Sequence, residues 1–453
     1  MRHRLVIAIV VLALSAFAQH APAKAPQLLP WSQQIAIREQ WLKKHHELIL
    51  PMMRAHGVDM WIVVNEEFHP DPMTEYIAPP RPYAGNRDIF VFIDTGDKGL
   101  RKVAITGYAE ESLKQFFESP DDPRPADKVL GELYTQYHPQ KIALAYNARR
   151  GVQRSITKDT YDYFAEKMGA DAAQHFVPAA DLIEDYFATR IPEESDTYTT
   201  MVKLTDSLTH RAFSNEVIRP GKTTVGDVRR WLYDQLWEYR VTTWFQPDIR
   251  LQRKGRPNDT SRGFLAVAPE EWVIEPGDVL HLDFGITYMG LNTDWQKMAY
   301  VLRPGEKDVP EGLKHAMKNT NELQDALTQR AARPGRTGGE VYNLTMEEMQ
   351  QKGIEAKIYS HPIGNQGHGL GPSIDYRSAQ KPDATPSLRP DIAAAQTKQL
   401  KKGSWLSVEL NSQTPVPEWD NQKVFIMMED DAYLTDDGYK FFIPRQEAFY
   451  LVK

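Results

Sequence analysis

There is no cysteine in this chain of 453 residues, so it has no disulfide, thiolate ligand or cysteine nucleophile. Stability must come from a buried core. Basic residues are in the minority: 54 Lys and Arg stand against 61 Asp and Glu, for a formal net charge of −7. No run of Lys and Arg offsets that balance, which disfavours nucleic acid as a partner. Apolar runs of the roughly 20 residues needed to span a bilayer are also missing. The longest, Leu5 to Phe17, follows Arg2 and Arg4 and runs into the small-residue cleavage site Ala16-Phe-Ala18. It reads as a secretory signal over residues 1–18, and predicts a secreted or periplasmic protein without membrane contact after its removal. Residues 19–30, rich in Ala, Pro and Gln, read as a flexible lead-in.

What is present suits a globular protein. Hydrophobic residues make up 41% and charged residues 25%, and the length allows two or three domains. Ser32 to His56 reads as a helix capped by Ser32 and stopped at Gly57, with Ile37, Trp41, Leu48 and Met52 at near-helical spacing. Strand-like runs follow at Met60 to Val64, Ile89 to Ile93, Lys102 to Thr106 and Lys141 to Tyr146. Helix-like pieces, Glu110 to Phe117 and Lys158 to Met168, lie between them. This alternation predicts an α/β domain over residues 31–190. Phe68 to Arg87 reads as a long surface loop, with Glu66, Glu67 and His69 at a solvated tip. Arg190 to Glu194 reads as a hinge, after which Ser195 caps a long helix. Two Pro-Gly units, Pro220-Gly221 and Pro334-Gly335, each precede a helix, the first starting at Thr223-Thr-Val-Gly-Asp227 and the second running through Met349.

The stretch His281 to Tyr300 reads as two strands, about Val279 to Ile286 and Leu291 to Val301, joined by a turn. Asp283 and Asp294 interrupt these apolar strands, where Asp is disfavoured. A turn centred on Tyr288 and Met289 would place them directly opposite each other, with Cβ atoms roughly 5 Å apart. Two carboxylates that close repel unless one is protonated or a cation lies between them. The bland alternative is a turn Asp and a solvated strand-edge Asp. Downstream, however, come His361-Pro-Ile-Gly-Asn-Gln-Gly-His368-Gly-Leu-Gly, then Glu409 in the strand-like Trp405 to Leu410, then Glu429 and Asp430 ending Val424 to Met428. Burying unpaired carboxylates is costly. Four of them on core strands, with a histidine among glycines, predict one shared cationic partner. Two divalent ions would balance their charge.

Asp-x10-Asp, Gly-His-Gly, a strand Glu and Glu-Asp-Asp, in this order, resemble the ligand set of the M24 metallopeptidases, among them aminopeptidase P, prolidase and methionine aminopeptidase. The resemblance implies the pita-bread fold: an α+β catalytic domain of two pseudo-twofold halves over 191–453, behind a creatinase-type α/β N-terminal domain. It implies that Asp283, Asp294, His368, Glu409 and Glu429 hold two divalent ions, with Asp294 and Glu429 bridging. Carboxylate-rich ligation favours Mn, with Zn, Co or Fe as alternatives. It further implies attack by a metal-bridging hydroxide on a short peptide, before proline, with Glu409 shuttling the proton, and a homodimer. His361 divides evenly between a group that contacts substrate and a buried histidine satisfied by backbone. His281 shares a face with Asp283 and reads as packing, with support of the ligands from behind as the alternative; His45, His46 and His210 read as helix-surface groups. Three positions depart from the family. No His lies between Trp244 and Leu280, where Phe264 to Ala268 stands; Met427 replaces an Arg; Asp375 replaces a His. Tyr376, Arg377, Arg253 and Arg445 are candidate replacements. These departures keep open a hydrolase or lyase acting on a small non-peptide compound, and more remotely a non-catalytic peptide-binding module.

Overall fold

A computed structural model describes residues 25–83, 85–261, 263–375 and 398–453. The signal segment, Tyr376 and Arg377 lie outside the described residues. No helix among the described residues is long and apolar enough to cross a membrane.

The first helix, α1, spans Trp31–Ala55. Ser32 does not cap it. The helix starts one residue earlier, on the carbonyl of Pro30, whose ring already supplies a suitable φ. Gly57 stops it in the left-handed conformation, with φ of 61°. Beside α1 lies a five-stranded sheet of β1 (Met60–Glu66), β2 (Arg87–Asp94), β3 (Leu100–Ile105), β4 (Ile142–Leu144) and β5 (Phe176–Pro178), in the order β3-β2-β1-β4-β5. The hairpin strands pair antiparallel and β1, β4 and β5 run parallel. Alternation along β1 sends Trp61 and Val63 into one apolar cluster with Leu42, Ile49 and Met53 of α1, and Met60, Ile62 and Val64 into another. The predicted helix Glu110 to Phe117 shrinks to Glu111–Lys114. The long loop holds one short helix, Thr74–Ile77, and its Tyr76 hydroxyl donates to Gly290 O in the C-terminal part of the chain at 3.0 Å.

His45 and His46 are not surface groups. His45 Nε2 meets Glu194 Oε1 at 2.9 Å and His46 Nε2 donates to Ile77 O at 2.8 Å, both rings being buried. Their side of α1 is covered by the sheet and by the chain around residue 194, which a helical repeat alone does not disclose. His210 is partly buried against Tyr450. Residues of the lead-in are also engaged: Ala25 and Leu28 pack on the core, and Leu29 N donates to the Tyr288 hydroxyl at 3.0 Å.

Helix α2 (Ser195–Ala212) follows a 3-10 turn, Pro192–Glu194, that feeds straight into it, so Ser195 is inside the helix and caps nothing. The helices that follow the two Pro-Gly units begin as their sequences predict. Thr224 caps α3 (Val225–Tyr239) and Thr337 caps a second helix (Gly338–Gln351), each in a capping box closed by Asp227 and Glu340. Each such cap contributes about 1 kcal/mol.

Two sheets follow. The four-stranded one contains β6 (Asp248–Gln252), β7 (Val279–Phe284), β8 (Trp295–Val301) and the C-terminal Tyr450–Val452. The other is built on β9 (Glu355–Pro362), β10 (Trp405–Ser407), β11 (Leu410–Val416), β12 (Gln422–Met428) and β13 (Asp431–Thr435). The hairpin turn is centred one residue later than predicted. Met289 and Gly290, with φ of 55° and 78°, form the two-residue loop, and Tyr288 pairs with Leu291. Positive φ at both positions is the signature of a type I′ turn. Asp283 therefore faces Gln296, and Asp294 sits two residues before Gln296, just ahead of the start of β8 and outside any strand. Glu409 is likewise not within a strand. It stands in the break between β10 and β11, where β9 changes its partner from one to the other.

Candidate metal centre

Glu429 ends β12 and bridges the two sheets. Its backbone and that of Gln296 exchange both hydrogen bonds at 3.2 Å. Asp283 and Asp294 arrive from the four-stranded sheet; Glu409 and His361 arrive from the other. Ligand atoms of Asp283, Asp294 and Glu429 lie within 4.8 Å of one another, as do those of His361, Glu409 and Glu429, and those of Asp294, His361 and His368. All six named side chains thus meet at the junction of the halves.

The electrostatics are severe. Burial raises the carboxyl of Asp283 to about 7, the Arg250 guanidinium opposing and Glu429 and Asp248 adding to the rise. Burial and then Glu429 push Asp294 well above the usual carboxylate range. Glu409 is raised in the same way, although His361 opposes the shift. Burial alone would depress His361, but its proximity to Glu429 and Glu409 carries it up to about 9. Its Nδ1 lies 3.0 Å from Pro362 O and donates to it, leaving Nε2 directed at the acids. Nε2 lies 3.4 Å from Asp294 and Glu429 and 3.8 Å from Glu409. Buried Nε2 of His361, Oδ1 of Asp283 and Oδ1 of Asp294 have no hydrogen-bond partner. An imidazole nitrogen that faces carboxylates, among orphaned oxygens, is a donor set for a divalent cation, which on binding would take the place of the Nε2 proton. The residues present fit such an ion.

His368 is exposed at the rim. Its ring stands edge-on to His361 at 4.6 Å and to Trp244 at 5.2 Å. A Cβ at Gly367 would run into the Trp244 ring, so glycine permits this approach. The loop carrying His368 is pinned from both sides: Gly364 O accepts from Asn292 N at 2.7 Å, and Asn365 accepts from Arg190 beside the hinge.

Several contributors do not announce themselves in the sequence. Gln296 Nε2 donates to Glu409 Oε1 at 3.0 Å and to Glu429 Oε2 at 2.7 Å. Ser407 donates to Glu429 Oε1 at 2.7 Å. Asp431 Oδ2 accepts from Asp294 N at 3.2 Å and from the Tyr198 hydroxyl at 3.0 Å. Lys297 lies beneath, paired with Asp430 at 2.7 Å. The available signal was a Gln-Lys pair within an otherwise apolar, fully buried strand. His281 is more than packing, since its Nε2 meets Gln296 Oε1 at 2.9 Å. Arg253 and Arg445 are engaged with Asp278 and Asp325. Where the family resemblance expects histidines, the Phe264 ring lies 6.0 Å from that of Tyr359, and Asp375 is the strand partner of Tyr359.

A family model for metallopeptidase family M24 matches residues 202–436, more than half of the chain. No curated protein matches significantly. Among solved structures, the X-Pro aminopeptidase of Thermotoga maritima MSB8 is similar with a TM-score of 0.63 and 16% identity, covering 89% of this chain and 100% of that one. The Xaa-Pro dipeptidase of Bacillus anthracis gives a TM-score of 0.56 and 19% identity, covering 93% and 99%. The prolidase of Pyrococcus horikoshii OT3 gives 0.57 and 16%, covering 89% and 99%. At such identities these likenesses establish the fold, and the family match gives the placement: this chain is a member of metallopeptidase family M24 and has its pita-bread fold.

Proposed function

We propose that this chain is a dinuclear metal-dependent peptidase that cleaves short peptides near their N-terminus, before proline. The observation that carries this is the convergence of Asp283, Asp294, Glu409, Glu429 and His361, with orphaned atoms on three of them. Asp283, Asp294 and Glu429 would hold one ion. Glu409, Glu429, Asp294 and an imidazole would hold the other. His361 is the better placed imidazole, because its Nε2 is buried and unpartnered; His368 at the rim then faces substrate. Bound divalent ions would acidify water and polarise the scissile carbonyl.

The chain's own residues supply the rest. Glu409, partly exposed to the cavity, would be held ionised beside bound cations and so able to accept the proton of the attacking water. It then delivers that proton to the leaving nitrogen. Trp244 and Tyr359 stand beside His368 and offer flat apolar surface to a substrate ring. The Xaa-Pro specificities named for similar folds support the proline reading.

The test is hydrolysis of Xaa-Pro dipeptides and tripeptides, against matched Xaa-Ala peptides, by protein loaded in turn with Mn, Zn, Co and Fe. Preferential cleavage before proline supports the reading. Cleavage of neither series would pass the site to a small non-peptide compound, for which creatine-like substrates are the next assay.

A further inference from the structure

Arg250 and His281 are cross-strand partners on β6 and β7, and Asp283 and Gln296 are partners on β7 and β8. Their polar atoms form a continuous chain. Arg250 Nη1 lies 3.3 Å from His281 Nδ1 and 3.3 Å from Asp283 Oδ2. His281 Nε2 lies 2.9 Å from Gln296 Oε1, and the Gln296 amide nitrogen reaches Glu409 and Glu429 at 3.0 and 2.7 Å.

The direction of this chain is fixed by chemistry. A guanidinium has only donors, so His281 Nδ1 must accept and its proton must sit on Nε2. Nε2–H then donates to the Gln296 carbonyl, which turns the Gln296 amide so that both its protons point at the glutamates. One oxygen of each glutamate is thereby held, and the other, Glu409 Oε2 or Glu429 Oε1, faces His361 across the cavity.

We propose that Arg250, His281 and Gln296 are positioning residues, a one-way donor relay that fixes the carboxylate orientations of Glu409 and Glu429, while Arg250 fixes Asp283. The inference rests on the metal-site reading above and deepens it. It predicts that cation affinity depends on Arg250 and His281, although neither reaches the cavity's ligand atoms except through Asp283 or Gln296.

The experiment measures Mn2+ binding to metal-stripped full-length protein by calorimetry, with the EPR spectrum of the bound ion and the melting temperature of the stripped protein. The variants are His281→Phe, Gln296→Leu, Arg250→Met and the His281→Phe/Gln296→Leu double. Loss of a hydrogen-bond partner behind a ligand weakens metal binding about 10–100-fold. Each single variant should lose affinity in that range and alter the EPR spectrum. The double should bind no more weakly than Gln296→Leu alone, because one break severs the chain. Arg250→Met, at the partly exposed end, serves if a buried variant does not fold. Wild-type affinity in the folded variants, or losses that multiply in the double, would overturn the relay while leaving the metal reading intact. Failure of the wild-type chain to bind Mn2+ at all would bring down both.

Discussion

Asp283 stands opposite Gln296 across the β7–β8 pair, and Asp294 lies two residues before Gln296, just ahead of β8. The amide inserted at that register separates what would otherwise be two directly facing acids. It also ties both glutamates of the second half to the hairpin of the first. The junction of the halves is therefore held by the same atoms that shape the site.

The two histidines should separate cleanly by metal content. His361→Ala removes a buried imidazole whose Nε2 faces three carboxylates; His368→Ala removes an exposed one. Inductively coupled plasma analysis of protein purified with Mn should show His361→Ala losing at least one ion per chain. His368→Ala should keep its ions and raise KM. The reverse pattern would return the ligand role to His368.

Beneath the site, Lys297 Nζ donates to Asp430 Oδ1 and Glu429 O at 2.7 Å each, and Gln324 donates to the other Asp430 oxygen. Both members of the pair are buried. Lys297→Met leaves Asp430 without its counter-charge and should cost about 3–5 kcal/mol. Replacing both, Lys297→Met with Asp430→Leu, should recover much of that. Urea unfolding of the three proteins checks it, and equal stability of Lys297→Met and wild type would refute the account.

His46 sets a pH dependence remote from the site. Burial, with the charge of Lys102 adding, lowers it from 6.5 to about 3, the hydrogen bond to Ile77 opposing. The unfolded chain therefore binds the His46 proton between about pH 6.5 and 3 and the folded chain does not. This contribution is fully present above pH 6.5 and is lost as pH falls toward 3, by a few kcal/mol. His46→Gln should flatten the acid limb of stability against pH, measured on metal-free protein. Curves for wild type and variant that run parallel from pH 7 to 4 would contradict it.

Legibility in the sequence followed locality. The two Pro-Gly units are short local signals for a helix start, and the structure begins a helix after each, at Val225 and Gly338. The acids of the site stood out because carboxylates are rare within apolar strands, and all of them meet in space. The register of the hairpin was less accessible, because Tyr288-Met289 and Met289-Gly290 both fit between the strands, and only a positive φ at Met289 decides. Glu409 was read into a strand because the apolar pattern runs on through a break made by β9 changing partners. His45 and His46 were read as exposed because their partners, Glu194 and Ile77, come from distant segments. Arg250 carries no local signal, and the Gln296-Lys297 pair in an apolar strand marks a polar role without showing which one, since the meaning of both lies in their cross-strand neighbours.

The most direct measurement is the divalent metal content of the purified wild-type chain and its Asp294→Ala variant, taken together with cleavage of an Xaa-Pro peptide. Two ions per chain and turnover in the wild type, with both ions weakened and turnover abolished in Asp294→Ala, is the predicted result. A wild-type chain that cleaves without bound metal, or an Asp294→Ala variant that turns over as fast as wild type, would contradict the account.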